Sequence, residues 1–139
     1  MTRVSLERQG DGYTILCRGH ATREGALPGE PEGEGTRVCA GISCLCCALA
    51  QWLENAEVQV DKLRLERGEA EFRFSGGALA KGAFTLAATG FLQLQQTAPQ
   101  RVRVKTKCVE HRGGGHFVGG PLRTTHGGVT SARTRRSCT

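Results

Sequence analysis

The sequence predicts an α+β fold, two helices packed on a mostly antiparallel sheet in the order ββαββαβ. Three observations predict it. Alternating apolar and polar runs occur in two pairs, each pair joined by a Gly-containing turn. A stripe of apolar residues at helical spacing follows each pair. A short alternating run, RVRVK, then closes the pattern.

The first hairpin is read from Val4 and Leu6, a turn at Asp11-Gly12, and Tyr13, Ile15 and Cys17 on the return. The second strand leads directly into Gly19-His20-Ala21. Residues 22 to 36 (TREGALPGEPEGEGT) are rich in Gly, Glu and Pro, offer almost nothing to bury, and are expected to form a mobile loop. Ile42, Leu45, Cys46, Leu49, Trp52 and Leu53 then trace one face of a helix, expected to begin near Cys39 or Ala40 and end around Asn55.

Val58 and Val60, then Leu63 and Leu65, form one strand whose phase slips between Asp61 and Lys62, the mark of a bulge. Arg67-Gly68-Glu69 turns the chain, and Ala70, Phe72 and Phe74 alternate on the return. Phe84, Ala87, Ala88 and Phe91 set a second helix over 79 to 97, ending before Pro99 and weakened by Gly82 and Gly90. Arg101 to Lys105 is the last strand. Two units are expected: a folded domain over 1–106 and a disordered, basic Gly/Arg/Thr-rich tail over 107–139.

A chain of 139 residues makes one domain, too short for separate catalytic and binding domains. No apolar run approaches the ~20 residues that span a bilayer, and the first ten residues carry no signal-peptide stretch, so no membrane partner is expected. Seven cysteines, three of them crowded into 44–47, make a poor disulfide framework and read as a reduced chain in the cytoplasm. The net charge of +6 is concentrated after residue 100, beginning at Arg101 and Arg103. Such a tail either makes weak, screened contact with RNA or a ribosome surface or is simply solvated.

The chemistry centres on two residues. Cys39 is placed where a loop becomes a helix, so free amides and the helix dipole are expected to favour its thiolate. The amides of Ala40 and Gly41 would hold an oxyanion, and these small residues would admit a substrate backbone. His20, at a strand end and before any other histidine, would act as the base if its strand neighbours the helix. Spacing alone leaves the bland reading open, in which Cys39 is a small core residue and His20 a turn residue. Cys17 and Cys46 fall on apolar stripes and read as core, with Cys44 and Cys47 half-buried beside them.

Gly19-His20-Ala21, followed by a loop and Val38-Cys39-Ala40-Gly41-Ile42-Ser43, resembles the two motifs of the bacterial ribosomal-processing cysteine proteases (the Prp family). Gly90-Phe91-Leu92 and Pro99-Gln100-Arg101-Val102 also look like that family's pattern, so the resemblance covers roughly residues 1–106. It implies a cysteine endopeptidase that removes the N-terminal extension of a large-subunit ribosomal protein, the twenty-seventh. It also implies a homodimer without a cofactor. Carried over by residue, Cys39 matches the nucleophile and His20 the base, while Gly19, Ala21, Ala40 and Ser43 match positions that shape the site. Two departures stand out: Thr36 takes the place of the family's Asp, and the 22–36 loop is longer.

Two rivals stand beside this reading. Cys108, His111, His116 and His126 space as C-x2-H-x4-H-x9-H, but they lack the paired short clusters of a zinc site, and no metal is expected. The other rival is a non-catalytic ribosome- or RNA-associated protein of the same fold.

Overall fold

Val4 and Leu6 on β1 (Thr2–Gln9) stand directly opposite Cys17 and Ile15 on β2 (Gly12–Arg18), so all four side chains share one face of the sheet. The structure, a computed structural model, describes residues 1–109. The expected disordered tail and its His111, His116 and His126 lie outside the described residues. The β1–β2 turn falls on Gly10 and Asp11, one residue earlier than the sequence reading placed it.

β4 (Glu69–Ser75) continues the same face. Phe72 lies opposite Ile15, Phe74 opposite Tyr13 and Ala70 opposite Cys17, and each of these residues is buried. β3 (Gln59–Glu66) pairs with β4 at the sheet edge, and its register shifts between Val60 and Lys62, where the apolar phase had slipped. β5 (Val102–Val109) adds parallel to β1 at the other edge, with Thr2 opposite Val102. The sheet order is β3-β4-β2-β1-β5, antiparallel at every pairing except β1 with β5. The last strand is therefore longer than Arg101–Lys105, and the domain boundary expected at 106 falls inside it.

Two helices cover the apolar face. α1 (Glu34–Asn55) buries Val38, Cys46, Leu49, Ala50 and Leu53, and α2 (Gly77–Thr97) buries Ala80, Phe84, Ala87, Ala88 and Phe91. By length and composition alone α1 is apolar enough to cross a bilayer, contrary to the expectation from apolar runs. Cys46, Leu49 and Leu53 of its stripe are packed in the core, with Ile42 and Leu45 partly buried against it and Trp52 left exposed. The helices approach closely where glycines stand: a Cβ at Gly90 would meet Leu45 Cδ2 at 2.7 Å, and one at Gly41 would meet Leu94 Cδ2 at 3.1 Å. Gly90, read from sequence as a weak point in the helix, is the hollow that receives Leu45. The Asp11 carboxylate accepts the Gly77 N–H at 3.0 and 3.1 Å, so the first hairpin turn caps the start of α2.

α1 begins at Glu34, about a turn and a half before the expected start. Pro31 accepts the Glu34 N–H and Gly33 the Arg37 N–H, so the chain winds into the helix from a left-handed Gly33. Residues 34–36, expected in the loop, are helical.

Candidate active site

Helical spacing sets Cys39, Ser43, Cys46 and Cys47 on one side of α1, where they form a wall of a cleft of about 220 Å³. The facing wall is the β3–β4 turn, Leu65 to Ala70, and Thr2, Cys17, Gly19 and His20 complete the lining. The structure therefore brings four sequence-predicted residues together: Gly19, His20, Cys39 and Ser43. His20 and Cys39 are both half-buried.

The His20 segment is fixed by its neighbours. Gly19 has φ 93, and a Cβ there would lie 2.5 Å from the Met1 carbonyl oxygen, so only glycine fits. Its N–H donates to the Gly68 carbonyl at 2.9 Å, clipping the β2 end to the β3–β4 turn. The Met1 ammonium donates to the His20 carbonyl at 3.1 Å and pairs with Glu24. Gly68 was missed by sequence reasoning. A Cβ on it would lie 2.5 Å from His20 Nε2, so the imidazole rests on this turn. The Arg67-Gly68 pattern announced a turn but nothing about what lies against it.

The surroundings of Cys39 differ from the expectation. The residue lies in the second turn of α1, where the amides of Ala40 and Gly41 belong to the helix ladder, bonding toward Thr36 and Arg37. They are not free to hold an oxyanion. Ala40 is exposed, neither it nor Gly41 lines the cleft, and Gly41 serves the contact with Leu94. The dipole argument weakens for the same reason, since it acts within the first turn. In place of these groups, the Ala21 N–H donates to Cys39 Sγ at 3.3 Å and the Thr22 hydroxyl lies 3.9 Å from it. Among the described residues, these are the polar partners of the thiol, and His20 is not one of them. Ala21 is fully buried, so it presents its backbone rather than its side chain.

The loop before α1 is also unlike the expectation. Arg101, read from sequence as the start of the last strand and counted in the basic stretch after residue 100, has 1% of its side chain exposed, and Glu30 has 10%. Arg101 Nε donates to the Glu30 carboxylate at 2.9 and 3.0 Å and Nη2 donates to it at 2.5 Å. Nη1 donates to the Ala21 carbonyl at 2.6 Å, and Nη2 also donates to the Gly25 carbonyl. These hydrogen bonds hold the Glu30 carboxyl below the usual carboxylate range against the opposing effect of burial, and the guanidinium charge adds to them. The loop is anchored at its middle. Gly35 permits this, because a Cβ there would press on the Ala21 oxygen at 3.0 Å and Arg101 Nη1 at 3.2 Å.

The remaining cleft thiols differ in kind. Cys17 and Cys46, buried as expected, lie 3.9 Å apart. The hydrogen bond with Cys46, then burial, push the Cys17 thiol far up, which leaves it inert. Cys44 and Cys47 are exposed rather than half-buried. Cys108 is disulfide-bonded, against the reading of a wholly reduced chain. Among the described residues, no three His, Cys, Asp or Glu side chains converge on a metal position.

The chain matches no family model and no curated protein sequence. Solved structures share its fold. SMU.848 from Streptococcus mutans is 21% identical with a TM-score of 0.58, over 78% of this chain and 96% of that one. The ribosomal processing protease Prp from S. aureus, with a covalently linked product peptide, is 15% identical with a TM-score of 0.59, over 77% of this chain and all of that one. The same protease with a substrate peptide is 13% identical with a TM-score of 0.57, over 77% and 100%.

Proposed function

We propose that the chain is a cysteine endopeptidase in which Cys39 is the nucleophile and His20 the general base. It removes the N-terminal extension of a large-subunit ribosomal protein, the twenty-seventh. The observation that carries this reading is the placement of His20 and Cys39 in the lining of one cleft, on a fold shared with a ribosomal processing protease. His20 takes the thiol proton, the thiolate attacks the scissile carbonyl, and the imidazolium returns the proton to the leaving amine. Water then hydrolyses the thioester. The Ala21 N–H, which donates to the sulfur, is the backbone group we assign to holding the thiolate. Ser43, one turn after Cys39, lines the cleft with it.

The enzyme works without a cofactor, in the cytoplasm, as a homodimer. The pairing is supported by an apolar strip between the helices, where Leu79 is 56% exposed, Leu86 75% and Trp52 36%. A weak ribosome or RNA contact would belong to the basic residues beyond 109.

One observation favours the second reading, a non-catalytic ribosome-associated protein of this fold: the Ala40 and Gly41 amides are engaged in the helix. A single experiment separates the two. A peptide spanning the extension of the organism's own ribosomal protein is incubated with wild type, Cys39→Ala and His20→Ala, and any cut is located by mass spectrometry. Cleavage by wild type alone is the expected result. Uncut peptide with folded wild type would leave the binding protein.

A further inference from the structure

The bonds around Arg101 form one continuous path to the reactive sulfur. Nη1 holds the Ala21 carbonyl at 2.6 Å, and the N–H of the same residue donates to Cys39 Sγ at 3.3 Å. The Ala21 amide and carbonyl belong to the two peptide planes that meet at one fully buried Cα, so holding the carbonyl narrows the swing of the amide without fixing it by planarity alone. Glu30 matches the guanidinium through both carboxylate oxygens and keeps it from turning away. The Gly25 carbonyl takes a further donor.

We propose that Arg101 is a positioning residue for Cys39: through Ala21 it aims a backbone N–H at the sulfur, and through Glu30 it latches the 21–33 loop beside the site. This rests on the reading of Cys39 as the reacting group, but not on the identity of the substrate. An N–H aimed at sulfur favours the thiolate over the thiol, so the latch acts on reactivity as well as on loop order. Lysine cannot replace arginine here, because one ammonium cannot serve Glu30 and two carbonyls in the planar arrangement the guanidinium uses.

The test is the rate at which iodoacetamide alkylates Cys39 as a function of pH, read at that residue by peptide mapping. Full-length wild type is compared with Arg101→Lys, Arg101→Met and Glu30→Gln. His20, Glu66, Arg67, Glu69 and the thiols of Cys17, Cys46 and Cys47 line the same cleft and are common to all four proteins. A difference between proteins therefore belongs to the latch.

Arg101→Met and Arg101→Lys are expected to lower the rate at neutral pH about tenfold and to move the pH curve upward, with the alkaline plateau maintained. Glu30→Gln keeps the Ala21 bond and is expected to move the curve less. The buried Cys17 and Cys46 report folding in the same sample by staying unalkylated, and the exposed Cys44, outside the cleft lining, gives the reference rate. Curves that superpose on wild type in a folded Arg101→Lys protein would overturn the proposal. Should Arg101→Met unfold, Arg101→Lys and Glu30→Gln still give the answer. Because alkylation needs no substrate, failure of the peptidase reading shows up separately, as an uncut peptide with the latch effect intact.

Discussion

Gly68 lies directly against the His20 imidazole, so close that a single methyl group added to it would stand 2.5 Å from Nε2. The glycine also needs its φ of 80 for the β3–β4 turn, and its carbonyl accepts the Gly19 N–H. Three demands thus fall on a residue outside both recognised motifs. Gly68→Ala is expected to displace the imidazole and to lower peptide cleavage by at least about tenfold, with left-handed strain costing roughly 1 kcal/mol. Cleavage kinetics beside a thermal melt would check it; wild-type kinetics in the variant would mean that His20 need not rest there.

Gly41→Ala tests the reassignment of that residue from substrate approach to helix packing. The gain in helix propensity, about 1 kcal/mol, opposes the crowding against Leu94, so the melt should change by no more than about 1 kcal/mol. Cys39 alkylation should match wild type. A large drop in turnover with the melt unchanged would return Gly41 to the site.

Asp11→Ala removes the carboxylate that holds the Gly77 N–H and is expected to cost about 1 kcal/mol, or roughly 4 °C in Tm. The cap is remote from the cleft lining, so turnover should not change. Calorimetry and a cleavage assay on the same sample suffice.

Acid should release the loop. The Glu30 carboxyl is held below its ordinary value, so its contribution is complete above about pH 4.3 and is lost as pH falls through the lowered folded value. Hydrogen exchange of the 21–33 amides, corrected for intrinsic rates, should show protection at about pH 5 that falls away as the pH is taken progressively below the ordinary carboxylate range. Protection that persists at the lower pH would place the anchoring elsewhere.

Phe72→Ala opens a cavity at the centre of the sheet face and is expected to cost about 3–5 kcal/mol, enough to unfold much of the protein. Urea denaturation gives the figure directly.

The sheet was legible because alternation is a direct record of a half-buried strand: Val4, Leu6, Tyr13, Ile15, Cys17, Phe72 and Phe74 are all buried. The slip at Asp61 was legible for the same reason. The start of α1 was not, since Glu34-Gly35-Thr36-Arg37 carries little apolar period and contains a glycine. That error carried over to Ala40 and Gly41, whose expected role depended on a helix beginning beside them. Arg101 was read as the start of the last strand and as part of the Pro99-Gln100-Arg101-Val102 pattern, but its buried ion pair had no local signal, because its partners Ala21, Gly25 and Glu30 are more than seventy positions away in the chain. His20 and Cys39, which line one cleft, were singled out by their motifs, whereas Gly68, contributed by a distant turn, had no signal beyond the turn itself.

The parallel pairing of β5 with β1 has a consequence for the order of events during synthesis. A chain growing from its N-terminus can form both hairpins and α1 early, yet one edge of β1 stays open until residues 102–109 emerge. Until then an unpaired strand is exposed to association with other chains. Arg101 immediately precedes that strand, so its bond to the Ala21 carbonyl also waits for these residues to emerge. On the proposed latch, Cys39 of a nascent chain would gain its full reactivity only once β5, the last of the described strands, has paired with β1.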